Sequence, residues 1–389
     1  MSKIDDKFNE LGGVNGLLGK PTTDEAICPD GVGHYRHYEH GSIYWHPLTG
    51  AHEVHGLIRG KWAKLGWEKS FLGYPKTDES NSGGGAQGRF NLFQGGAITW
   101  KQGAGEAFET HGAIRSKFGQ MGWEAGFLGF PTTDETKTPD GVGRFNHFEG
   151  GSIYWKPTIS AHEVHGLIRQ YWANLGWEKN QELGYPISDE MPTYPGSKHR
   201  FSDFENGVVY WKYGAKNAAA LSKFVIGDAS QTAEQVISQI NKTIVDTLKS
   251  NSRIYIKSGP SFTGVTDYSW DGSQVRNRLY CIHVDVGIDI SGVPDPTSNL
   301  DFWVEVSFDR GKGTVWASLH HATFHTHVPW PTSMGVSASE INAEYKKKLD
   351  PMVGVPQNTK TVPAGMHLLS AKVMPNGDLN VYMQPLADK

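Results

Sequence analysis

Apolar positions follow two different rhythms along this chain, and the rhythm changes near residue 215. Before that point, Ile58, Trp62 and Leu65 fall at i, i+4 and i+7, as do Ile114, Phe118 and Met121, and then Ile168, Trp172 and Leu175. That spacing predicts three short helices, each with a single apolar face. Gly176, just past the last periodic residue, permits the left-handed conformation that ends a helix. A helix of about three turns is marginal by itself, so each must pack on its neighbours. Between the helices lie aromatic segments: Ile43-Tyr44-Trp45, Ile98-Thr99-Trp100, Ile153-Tyr154-Trp155 and Val209-Tyr210-Trp211. The glycine pairs Gly95-Gly96 and Gly150-Gly151 separate two aromatic runs and predict short hairpins. Strand alternation sets Ile153 and Trp155 against Tyr154. With Ile and Trp in the core, Tyr44, Tyr154 and Tyr210 are expected to point outward.

After residue 215 the pattern predicts one α+β domain. Thr232 to Lys249 reads as a helix, with Val236, Ile240, Ile244 and Leu248 on one face and Thr232 and Gln235 as a capping box. Tyr280 to Ile290, Phe302 to Phe308 and Thr314 to Thr323 alternate as strands, and Ser339 to Leu349 reads as a second helix. Leu368 to Val373 and Leu379 to Met383 flank Asn376-Gly377, a hairpin signal. The fold class is therefore α+β: four short helix-plus-hairpin repeats, then an antiparallel sheet with one or two packed helices.

The repeats are explicit. Gly56 to Glu68 is followed by Leu72-Gly73-Tyr74-Pro75 and Asp78-Glu79, Gly112 to Glu124 by Leu128-Gly129-Phe130-Pro131 and Asp134-Glu135, and Gly166 to Glu178 by Leu183-Gly184-Tyr185-Pro186 and Asp189-Glu190. A degraded copy opens the chain at Phe8 to Leu11, with Leu18-Gly19-Lys20-Pro21 and Asp24-Glu25. Copies of about fifty-five residues divide the first 214 residues into about 1–54, 55–109, 110–164 and 165–214, leaving 215–389 as the second domain. Leu128-Gly129-Phe130-Pro131, the Tyr variants of it and the Leu-Gly-Trp-Glu turns resemble the LGFP-repeat family. That resemblance implies a ring-like or closed module, attached to envelope enzymes, that docks onto cell-wall carbohydrate. It also implies an extracellular or cell-surface location, although Met1 to Asp6 is polar and carries no signal-like apolar core.

Charge narrows the partners. Residues 1–214 carry 21 Lys plus Arg against 25 Asp plus Glu, and the remainder 16 against 16. Neither half has the basic excess that phosphate neutralisation needs, so no nucleic acid is expected. No apolar run is long enough for a transmembrane segment. Two cysteines, Cys28 and Cys281, are expected to stay free.

The repeat supplies both groups that a sugar needs: aromatic rings for its apolar face, and planar donors for its hydroxyls. Trp67, Trp123 and Trp177 follow the helix-ending glycines and lie off the apolar stripe, which makes them candidate ring contacts with Tyr44, Tyr154 and Tyr210. Arg59, Arg115 and Arg169 are candidate donors. The Thr-Asp-Glu run reads either as sugar or calcium ligands, or as a backbone cap ion-paired to those arginines. In the second half, His321, His325 and His327 share strand parity and are the candidates for a metal. No nucleophile elbow, P-loop or Cys-x-x-Cys is present, and no cofactor is expected. The reading favoured is a glycan- or cell-wall-polysaccharide-binding protein whose second domain presents another activity or an oligomer interface. The alternatives are an envelope-targeted enzyme, or a lipid-binding or toxin-like domain in 215–389.

Overall fold

Every leucine and aromatic of the Leu-Gly-x-Pro tetrads is inside the protein: Leu18, Leu72, Leu128 and Leu183, with Tyr74, Phe130 and Tyr185. The glycine between them takes φ of 65 to 71° at all four copies, a conformation that side chains disfavour. The computed structural model describes residues 2–83, 88–221, 224–225, 254–269, 276–288, 296–327, 337–374 and 379–385. These divide into two packing units, Met1–Glu190 with Lys216–Ala218, and Met191–Ala215 with Ala219–Lys389.

In the first unit, four helices alternate with three antiparallel four-stranded meanders. The helices are α1 (Lys3–Glu10), α2 (Gly56–Leu65), α3 (Gly112–Gln120) and α4 (Gly166–Asn174). The sheets span residues 26–55, 80–111 and 136–165. α2 touches both the sheet before it and the sheet after it, and so does α3. The first two positions of each predicted helix face are buried, Ile58 and Trp62, Ile114 and Phe118, Ile168 and Trp172, while Leu65 and Met121 are half-buried and Leu175 is exposed. The contacts follow chain order from α1 to α4 without showing ring closure.

Because a helix covers each side of a sheet, the expectation for the strand tyrosines fails. Ile43 and Ile153 are buried, yet so are Tyr44 and Tyr154, each only 3% exposed. Tyr44 meets Trp62 edge-on at 4.6 Å, and Tyr154 meets Trp172 at 4.7 Å. Alternation separates the two faces of a strand and does not say that one of them is wet.

The acidic dipeptide turns out to be a joint between units. Asp78, Asp134 and Asp189 accept the backbone amides of Glu53, Glu109 and Glu163 at 3.0–3.1 Å. Their ionic partners are Lys7, Lys61 and Lys117, one helix upstream, at 2.7–3.0 Å. The capping reading holds and the pairing with Arg59, Arg115 or Arg169 does not. Each of these carboxylates already accepts an amide and a lysine at the joint, which favours the structural reading over sugar or calcium ligation.

The second unit contains the last repeat sheet, residues 191–220, together with a five-stranded antiparallel sheet. Its strands, Ile254–Ser269, Arg276–Ile288, Thr297–Asp309, Thr314–His327 and Gln357–Thr361, pair in chain order. α5 (Ala338–Leu349) lays Ile341, Tyr345 and Leu349 on the face formed by Ile282, Phe302 and Leu319. A hairpin of Met366–Val373 and Leu379–Pro385 forms as expected. The helix expected over Thr232 to Lys249 and the Asn376-Gly377 turn lie outside the described residues. Both cysteines are free, Cys28 buried and Cys281 half-buried.

The last repeat sheet has an unusual cover. Phe201 and Val208 pack with Leu369 and Tyr382 of the hairpin, and Gln384 donates to the Tyr210 hydroxyl at 3.0 Å. Asp203, buried, pairs with Lys372, also buried, while Arg310 lies over the Phe201 ring at 5.4 Å and 3.8 Å from Asp203. Where earlier sheets receive the arginine of a following helix, this one receives Arg310 and Lys372.

Candidate functional site

Among the described residues, three tryptophans are the only non-glycine ones with positive φ: Trp67 at 58°, Trp123 at 56° and Trp177 at 59°. A bulky residue in the left-handed region costs about 1–2 kcal/mol. Such strain persists where surrounding structure imposes it, and it concentrates at working sites. At the matching place after α1 stands Gly13, with φ 59° and no such cost. Trp123 folds back along its helix over Gly119. At Gly119 an added Cβ would come within 2.6 Å of the Trp123 ring.

The fold brings the candidate arginines and tryptophans together in pairs. Arg59 lies 5.2 Å over Trp67, Arg115 lies 4.5 Å over Trp123 and Arg169 lies 5.2 Å over Trp177. Each pair closes a joint between its own helix and the sheet before it. In the first joint Arg59 donates to Ser42 at 2.6 Å beside His37, and Trp67 stacks on Tyr44 at 5.9 Å. The third is the same in detail: Arg169 donates to Ser152 at 2.6 Å beside His147, and Trp177 stacks on Tyr154 at 6.0 Å. Burial and the charge of Arg169 push His147 down to about 4.

The middle joint has the same frame with its filling removed. Leu92, Ala97 and Thr99 stand where the others have His, Ser and Tyr. No tyrosine lies under Trp123, which is 40% exposed, whereas Trp67 and Trp177 are half-buried. Arg115 reaches only to Thr110, at 3.3 Å, and makes no ion pair among the described residues. Burial pulls its pKa down. Beside it opens a depression of about 300 Å³ lined by Lys76, Leu92, Gln94 and Arg115 with the Gly95-Gly96 turn. Arg115 thus borders both the indole and the depression. Thr99, the residue that spoils the repeat of identical tyrosines, is buried and donates to Glu124 at 3.1 Å, so no tyrosine ring stacks on Trp123. Tyr210, the last of the six ring candidates, is half-buried in the second unit.

Sequence reasoning missed a second recurrent cluster at the helix starts. Glu53, His55 and Glu79 form a chain, with Nδ1 of His55 2.7 Å from Glu53 and Nε2 3.3 Å from Glu79. Glu109, His111 and Glu135 repeat it at 2.8 and 3.1 Å, and Glu163, His165 and Glu190 at 2.8 and 3.4 Å. The signal was present as a Glu-x-His beside each helix start, but the partner carboxylate is twenty-six or twenty-seven residues away. Burial lifts Glu135 to about 7, and the neighbouring carboxylates raise His111 against its burial. A carboxyl whose folded pKa exceeds its unfolded value favours the folded state below about 4.5 and loses that contribution as pH climbs to about 7. Glu135→Gln, which does not titrate, is therefore expected to gain about 2 kcal/mol relative to wild type between pH 4.5 and pH 8. Paired denaturation curves at those two pH values check it; a pH-independent difference contradicts the raised pKa.

The histidine set of the second unit does not converge. His321 stacks on Trp303 at 4.4 Å, and a bulge at His320 shifts the strand register beside it. His325 and His327 are exposed at the rim, beside a depression of about 440 Å³ that Asn299 and Asn342 also line. Among the described residues no group of three or more His, Cys, Asp or Glu side chains is placed to hold a metal ion. No helix among them is long and apolar enough to cross a membrane.

Helix-and-meander units joined in chain order, each joint carrying a strained tryptophan under an arginine, define a repeat protein with one ring-and-guanidinium pair per step. The chain belongs to the LGFP-repeat family, whose model matches residues 18–70, 72–126, 128–180 and 183–229, more than half of its length. Each matched frame starts at the tetrad leucine, so the first three each hold a sheet, the helix after it and one complete joint. LGFP repeats are found in cell-wall-associated proteins. No curated protein matches the chain as a relative.

Proposed function

We propose that the repeats bind cell-wall carbohydrate outside the cell, with the middle joint as the principal contact and residues 215–389 as the domain they carry. The carrying observation is Trp123: a bulky ring held at a strained backbone angle, left 40% exposed beside a partly buried arginine that makes no salt bridge among the described residues, Glu124 acting on it only through its charge. A pyranose ring offers an apolar face to the indole, and its rim hydroxyls suit the guanidinium donors. Trp67 with Arg59 and Trp177 with Arg169 have the same frame but spend their rings on Tyr44 and Tyr154, so they serve chiefly as packing. The full chain is expected to co-sediment with protein-free cell-wall polysaccharide and to be released by soluble oligosaccharide from the same polymer. If no such polymer retains it, the reading is wrong.

A further inference from the structure

The three joints differ in charge as well as in depth. In the turn after each aromatic strand, the first joint carries Glu39 and the third carries Glu149, and the middle one carries Gln94. All three do the same structural task. Glu39 accepts the amide of Lys20 at 2.8 Å, Glu149 that of Phe130 at 3.3 Å, and Gln94 that of Tyr74 at 3.0 Å. Only at Gln94 is the task done without a negative charge. After the tetrad proline, the first and third joints carry Thr22 and Thr132, and the middle one carries Lys76, which is exposed. Across the two positions, the middle joint has lost an anion and gained a cation.

We infer that the depression at the middle joint takes an anionic group, a carboxylate or a phosphate ester borne by the glycan, while a neighbouring sugar ring lies at Trp123. This rests on the carbohydrate reading above and narrows it. Arg115 is already ordered, because its guanidinium is held by the indole and by Thr110, so little side-chain freedom is lost when it engages a ligand. Its fork matches either anion bidentately, and partial burial strengthens the contact relative to water. Lys76 supplies a second charge on the same depression. No carboxylate lines it. In the first joint Glu39 would repel the same ligand, and in the third Glu149 is already ion-paired to Lys101.

The test uses the full chain and three probes: a neutral hexose oligosaccharide, the same oligosaccharide oxidised to the carboxylate at C6, and its 6-phosphate. Wild type is expected to bind one or both acidic forms at least tenfold more tightly than the neutral one, with an advantage that shrinks as salt rises. The double variant Lys76→Thr with Gln94→Glu installs residues that the other joints already carry, so it should fold normally; circular dichroism checks this. It should erase the acidic preference, bringing both acidic probes to within about twofold of the neutral one. Which acidic probe wins separates carboxylate from phosphate. Equal binding of all three probes, or a preference that survives the double variant, overturns the anionic assignment and leaves carbohydrate binding standing. Failure of all three probes and of whole cell-wall polymer overturns the carbohydrate reading itself.

Discussion

Trp123→Gly is expected to weaken polysaccharide binding about thirty-fold while changing the stability of the protein by less than about 1 kcal/mol. Removing an accessible aromatic contact at the centre of a site costs about 2 kcal/mol or more, which converts to that ratio. Stability should hardly move, because two terms oppose. Glycine relieves the left-handed strain of about 1–2 kcal/mol. The lost packing is similar in size, since the ring is 40% exposed and meets Phe118 edge-on at 5.5 Å without a tyrosine beneath it. The same change at Trp67 serves as the control. That ring touches Tyr44, Trp62 and His37 at 5.2–6.0 Å, so Trp67→Gly should destabilise by about 2–3 kcal/mol and affect binding less. Isothermal titration and chemical denaturation on both variants read the two quantities separately. A Trp123→Gly protein that binds like wild type rules the middle joint out.

The largest stability effect should come from the second unit. Asp203→Ala leaves the buried Lys372 ammonium without its carboxylate, and breaking a buried pair from one side costs about 3–5 kcal/mol. Arg310 loses its nearest acidic group in the same step. The paired replacement Asp203→Leu with Lys372→Met removes both charges and should recover most of the loss, because an apolar pair of similar volume avoids the desolvation cost. Urea midpoints for the three proteins provide the check. If the single and double variants are equally unstable, the ion pair is not what holds the last repeat sheet to the hairpin.

These effects show where sequence reading stops. The helix stripes and the Leu-Gly-x-Pro turns were legible because they are local: a period of 3.6 and a glycine with positive φ depend on neighbours within a few residues. The pairing of Arg59 with Trp67 spans eight residues and is nearly local, which is why both members could be picked as candidates although their contact could not. Three of the four long strands of the second unit and α5 were legible for the same reason, each carrying one apolar face, whereas the strand Ile254–Ser269 was not read from the sequence. The outward placement of Tyr44 and Tyr154 failed because period two says only that a strand has two faces. The partner of Asp134 was misassigned because Lys61 lies seventy-three residues away and no local rule selects it over Arg115.

The sequence by itself determined the repeat, its turns, its helix faces and the ring-and-cation inventory, since each is set by spacing within a single unit. Only the tertiary structure decided which rings are wet. That depends on what the adjoining sheet offers each tryptophan: Tyr44 and Tyr154 fill the first and third joints, and Thr99, with Ala97 and Leu92, offers no ring at the middle one. Accessibility is a property of neighbouring surfaces that meet, and no residue carries it alone.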